Sequence, residues 1–174
     1  NHDGNLKNSN RQDAITPIVD ALGHKDLHLH KYAGEVSLRD GFSLNVLSVF
    51  DRENWVRPNQ ENKVNIALYH GSISGCKTDL GWRMDEGEDE VKIFTEHDYS
   101  MLGDIHRRQS LDDDGRVRYC GSTVQQNFGE TNDKGFLIWD IEDKNNFICR
   151  EITIPNPKPF ITINLTPAGR MPKN

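Results

Sequence analysis

Three short stretches collect side chains able to bind a metal ion or move a proton. In YSMLGDIHRRQ, residues 99–109, an apolar run closes on glycine, and Asp104 and His106 follow two apart, with Arg107 and Arg108 directly behind. Carboxylate and imidazole both ligate divalent metals such as manganese, iron and zinc. From an irregular loop the two could reach one ion or two neighbouring ions; they could equally serve a turn through capping hydrogen bonds. His70 follows the apolar VNIALY and precedes Gly71-Ser72. It could point into a crevice at a strand end or be satisfied within the structure. Asn1, His2 and Asp3 form the third cluster. An asparagine offers a neutral oxygen ligand and a histidine a ligand or an acid. An aspartate can hold an imidazole in place through its ring N–H. A frayed terminus is the alternative there. Arg107 and Arg108 could neutralise phosphate or pair with local acids. His97, in EHDYS, is a minor candidate. Asp112, Asp113 and Asp114 before Gly115 read as a hairpin tip and lack calcium-loop spacing.

Other chemistries lack their signatures. No G-x-x-x-x-G-K-[ST] phosphate loop and no G-x-S-x-G nucleophile elbow occurs. Cys76, Cys120 and Cys149 are an odd number with no C-x-x-C spacing, which favours a reducing, cytoplasmic setting. The formal net charge is -6, against a broadly basic nucleic-acid surface; bound metals could still supply local positive charge. No apolar run approaches the roughly 20 residues of a membrane span, so no membrane partner is expected.

The elements that must position these residues are mostly strands. DAITPIVDAL, residues 13–22, has helical apolar spacing, with Pro17 early and Gly23 as a stop. LHLHKY (27–32), GFSLNVLSVF (41–50), VNIALY (64–69) and YSML (99–102) read as strands. VRYCGS (117–122), GFLIWDI (135–141), FICREITI (147–154) and FITINL (160–165) follow in the same pattern. VKIF (91–94) reads as a short strand or helix edge, and residues 72–90, with the acidic EGEDE, as a solvated loop. The chain is thus α/β and β-rich, with several strands ending in chemically capable residues.

In order along the chain, NHD (1–3), YHG (69–71) and GDIH (103–106) resemble three late motifs of the calcineurin-like metallophosphoesterases. The tail YCGSTVQQNFGE, KGFLIWDI and EITIPNPKPFITI is similar to the SbcD-type phosphoesterase subunit of DNA double-strand-break repair nucleases, bacterial or phage. The resemblance spans residues 1–165, as the C-terminal portion of such a domain, with 166–174 as a tail. It implies a four-layer sandwich of two mixed β-sheets flanked by helices, here incomplete. It also implies two divalent metals, manganese or magnesium, which activate a water for phosphodiester hydrolysis of DNA. Under it, Asn1, His70, Asp104 and His106 are metal ligands, His2 is the catalytic histidine and Asp3 orients it. Arg107 and Arg108 would contact substrate phosphate. The implied partners are DNA, an SMC-like coiled-coil ATPase and the missing N-terminal part of the domain, with a homodimer also possible.

Two departures stand out. Asp104 takes a position where the family mostly has histidine, which makes the site harder and more anionic. The family's upstream D-x-H followed by G-D-x-x-D does not occur as a combination in these residues. The chain is therefore expected to be a fragment, or a processed form, with exposed apolar surface on its helix and on one sheet. The other functional readings are a phosphoesterase for small phosphoesters or cyclic nucleotides, and a catalytically degenerate binding module.

Overall fold

A computed structural model of the chain describes residues 12–39, 41–58 and 62–171. Asn1, His2 and Asp3 lie outside the described residues. The expected helix forms as α1, Ile15–Leu22. Asp13 starts it by accepting the Ile15 and Thr16 N–H groups at 3.0 and 2.7 Å, which satisfies two of the donors a helix leaves open. Gly23, at φ 53, ends it by donating to the Val19 carbonyl. None of its residues is buried, and Ile15, Ile18 and Leu22 face solvent.

The strands are β1 (Gly34–Arg39), β2 (Phe42–Leu47), β3 (Val64–His70), β4 (Tyr99–Gly103), β5 (Gln109–Ser110), β6 (Val117–Tyr119), β7 (Gly135–Ile141) and β8 (Phe147–Thr153). The first six make a mixed sheet in the order β1-β2-β3-β4-β6-β5. Its four inner strands are parallel, and β1 and β5 run antiparallel at the edges. β7 and β8 form a separate antiparallel pair. The architecture is α/β and β-rich, with two sheets and little helix among the described residues.

Both faces of the large sheet are covered. On one, Val64, Ile66 and Tyr99 meet Trp139, Ile141 and Phe147 of the β7–β8 pair. Tyr99 packs edge-on to Phe147 and Trp139, with ring centroids 4.9 and 6.1 Å away. On the other, Leu47, Ala67, Tyr69, Leu102 and Tyr119 form the main core. Burying a large apolar side chain is worth roughly 1.5–3 kcal/mol, against about 1 kcal/mol for the whole range of strand propensity. Packing of alternate residues therefore sets the register: one slip would exchange the two faces.

Several expectations change. LHLHKY is irregular; the edge strand lies further on, at β1. FITINL, too, is irregular. Strand-prone residues become a strand only where a neighbour takes their backbone hydrogen bonds, and neither segment has a ladder partner among the described residues. Of the two readings of VKIF the helical one holds, as a 3-10 helix, Val91–Phe94, that puts Phe94 in the core. Residues 72–90 are not simply a solvated loop. Ile73 and Cys76 are fully buried, and Ser72 and Glu88 exchange backbone-to-side-chain hydrogen bonds of 3.0 Å in both directions. The expected tip before Gly115 holds, with Asp112 accepting the Arg116 and Val117 N–H groups. A further turn joins β7 to β8, where Asp143 accepts the N–H groups of Asn145 and Asn146. Among the described residues no helix is long and apolar enough to cross a membrane.

Candidate functional site

β2, β3, β4 and β6 are parallel, so their C-terminal ends share one edge of the sheet. Such an edge is where open α/β sheets gather functional groups. His70 is the last residue of β3 and pairs in register with Gly103, the last of β4. Gly103 leaves room for the His70 ring there: a Cβ on it would lie 2.7 Å from His70 Nδ1, so the ring would have to shift. The turn behind His70 is tied to β6 by Tyr119. Its buried hydroxyl donates to the Gly71 carbonyl at 2.7 Å and accepts from the Ile73 N–H at 2.9 Å.

Asp104 follows directly at φ 90, the one positive-φ residue other than glycine among those described. An L-residue held there stores on the order of 1–3 kcal/mol of strain, a pattern that clusters at functional sites. Asp104 Oδ1 lies 3.6 Å from His70 Nε2. Two donors each about 2.1 Å from one ion, at 90–120° to each other, are separated by about 3.0–3.6 Å. The pair therefore has the spacing of two ligands on one metal.

His106 is held differently. Its Nδ1 lies 2.9 Å from Oε1 of Glu130, whose side chain is only 5% exposed. The Glu130 carboxylate also accepts the Asn127 side-chain amide at 2.8 Å, the Gln126 N–H at 3.0 Å and Lys134 Nζ at 3.1 Å. Burial alone would raise the Glu130 carboxyl; the hydrogen bonds from His106, Gln126 and Lys134 outweigh it and hold the group below the ordinary range. Lys134, 4% exposed, also meets Asp79 at 3.0 Å and the His106 carbonyl at 3.2 Å. Two acids thus compensate one buried ammonium, the condition for keeping such a charge inside. Gly121, at φ 76, lets the chain pass the His106 carbonyl, and the Ser122 N–H donates to that oxygen at 3.1 Å.

Three clefts adjoin this edge. One of about 290 Å³ is lined by His106, Arg107, Arg108, Cys120 and Lys134. A second, about 450 Å³ and more apolar, takes in His70, Gly103, Leu47 and Cys120. A third, about 470 Å³, is lined by Asp104, His106, Trp82 and Glu130. The structure brings His70 and Asp104 together, while His106 opens on the adjoining clefts. Among the described residues no three His, Cys, Asp or Glu side chains converge to hold a metal ion.

The arginines are partly committed. Arg107 donates to the Thr78 carbonyl at 3.2 Å. Arg108 pairs with Glu151 at 3.0 Å and donates to the Asp133 carbonyl at 3.2 Å, so it braces β8. His97 lies away from this edge, with both ring nitrogens buried and unpartnered, and burial pushes its pKa down.

Sequence reasoning missed Glu130, Lys134 and Asp79. The first two stand four apart in NFGETNDKGF. An acid and a lysine between a glycine turn and an apolar strand were the available signal. Nothing local marks Asp79.

The fold and site define an α/β chain with a histidine–carboxylate cluster at the C-terminal edge of a parallel sheet. No family model matches the chain. It is similar to an uncharacterized protein of Acanthamoeba polyphaga mimivirus, at 34% identity over 177 residues. The match covers 95% of this chain and 13% of the viral protein, so the chain spans about an eighth of that relative's length.

Proposed function

We propose that this chain is part of a metal-dependent phosphodiesterase acting on DNA, built on the metallophosphoesterase sandwich. The observation that carries the reading is the pair His70 and Asp104, 3.6 Å apart on adjacent parallel strand ends, with Asp104 held at φ 90. Between manganese and magnesium, the mixed imidazole and carboxylate donors favour manganese, because magnesium takes oxygen ligands. His70, Asp104, His106 and Asn1 would hold the metals, and the described residues alone supply an incomplete set. Metal ions held by these residues would supply an activated water and charge stabilisation at phosphorus. The chain's own part is to set ligand spacing through the β3–β4 register, to orient His106 through Glu130, and to offer Arg107 at the neighbouring cleft. His2 and Asp3 would serve the leaving oxygen. An SMC-like ATPase partner, a homodimer and a cytoplasmic location belong to the same proposal.

The test uses the full-length protein with Mn²⁺, a plasmid and a chromogenic phosphodiester. Cleavage of DNA that is lost in His70→Ala supports the reading. Hydrolysis of the small ester with DNA untouched favours a small-phosphoester enzyme. A degenerate binding module is the second reading, favoured by Asp104 standing where the family mostly has histidine and by the commitment of Arg108 to Glu151. Metal analysis separates it: under that reading the purified full-length protein binds no stoichiometric metal.

A further inference from the structure

Glu130, Lys134 and Asp79 form a buried charged group behind His106 that the proposed ligand set does not include. We propose that Glu130 is a positioning residue that fixes His106 as its Nδ1–H tautomer and so turns Nε2 toward the clefts. Every other contact of the carboxylate comes from a donor: the Gln126 N–H, the Asn127 amide and the Lys134 ammonium. An acceptor surrounded by donors has no proton to give, so the 2.9 Å contact requires Nδ1 of His106 to carry the hydrogen. The Nε2 lone pair is then the available one, on a side chain that is 39% exposed and lines two of the clefts. Lys134 holds the carboxylate from the far side and binds the His106 carbonyl, so ring and backbone of one residue are clamped by one network. Asp79 completes it and links the loop after β3 to the His106 turn. A carboxylate behind a ligating imidazole commonly sets ring orientation and ligand basicity. The inference rests on the proposed metal site for its purpose, although the ring's tautomer can be read without any metal.

The experiment is long-range ¹H–¹⁵N correlation on the ¹⁵N-histidine-labelled full-length protein, about two pH units above the ordinary histidine pKa of ~6.5. His106 is assigned by its loss in His106→Gln. The wild type should show His106 as Nδ1–H by about ten to one or better. Glu130→Ala should move it to an Nε2–H majority, whereas Glu130→Gln, whose amide oxygen still accepts, should keep the Nδ1–H form. An Nε2–H majority in the wild type overturns the proposal, as does a ratio unchanged by Glu130→Ala. If Glu130→Ala does not fold, the wild-type ratio decides.

Mn²⁺ is then added, and broadening of the His106 signals is followed. The affinity should fall about 10–100-fold in Glu130→Ala. A fixed Nδ1–H tautomer without Mn²⁺ broadening leaves the positioning intact and overturns the metal reading. Equal broadening in wild type and Glu130→Ala, with the tautomer unmoved, keeps the metal reading and overturns the positioning.

Discussion

At Asp104 the backbone sits at φ 90, where a Cβ crowds its own peptide groups. The strain belongs to the Cβ and not to the carboxylate, so two substitutions separate them. Asp104→Ala and Asp104→Gly both remove the acid, but only alanine keeps the crowding. Denaturant unfolding should find the glycine variant more stable than the alanine variant by about 1 kcal/mol. Equal stabilities would mean that Asp104 is not strained. His97 gives a pH prediction. Burial lowers its folded pKa, against the smaller opposing pull of Glu96 and Asp98. The unfolded chain therefore binds the proton first, and stability falls as pH drops through the ordinary histidine value of 6.5 and below. The melting temperature of the wild type should drop more steeply between about pH 8 and about pH 5 than that of His97→Phe. Parallel curves would remove His97 as a source of acid sensitivity.

At the scale of elements, the site depends on how β3, β4 and β6 are joined beyond their ladder. Tyr119 spans from β6 to the turn after β3 through two hydrogen bonds on one buried hydroxyl. Tyr119→Phe keeps the ring in the core and orphans the Ile73 N–H and the Gly71 carbonyl. Leaving buried backbone groups unpaired costs about 1–3 kcal/mol. Chemical denaturation should show that loss, and hydrogen exchange should show faster opening of the 70–76 backbone than of β7. A loss spread evenly over the molecule would mean that Tyr119 does not anchor this turn. The strands most legible in the sequence, β2, β3, β4, β7 and β8, are those with apolar residues on a buried face. β1 and β5 were not legible, because edge strands of mixed polar residues are defined by the strand beside them rather than by a period of their own. The loop of residues 72–90 was misjudged because two buried side chains, Ile73 and Cys76, sit among acids that dominate the local composition.

Over the whole molecule, both faces of the large sheet are covered, but the outer face of the β7–β8 pair is not. Phe136, Ile138 and Ile148 are exposed there, beside the surface pair Asp140–Arg150. The helix adds Ile15, Ile18 and Leu22. This agrees with the exposed apolar surface expected on the helix and on one sheet. A two-stranded sheet with one bare face is marginal by itself. The isolated chain should bind a hydrophobic dye and associate with rising concentration, as read by sedimentation velocity. The double variant Ile138→Lys, Ile148→Lys should reduce both effects with little change in melting temperature, since neither side chain enters the core. Unchanged association would place the sticky surface elsewhere.

By itself the sequence determined the types of the candidate ligands, their places at strand ends and the β-rich α/β class. Those features are local: an apolar run, a glycine and a polar residue are read without knowing their neighbours. Tertiary structure alone decided that His70 and Asp104 face each other at 3.6 Å, because that distance depends on two parallel strands lying in register. It also decided that Glu130, 24 residues beyond His106, supports that ring and that Arg108 braces β8. Buried charges must find partners wherever the chain brings them, and no spacing along the sequence records which partners those are.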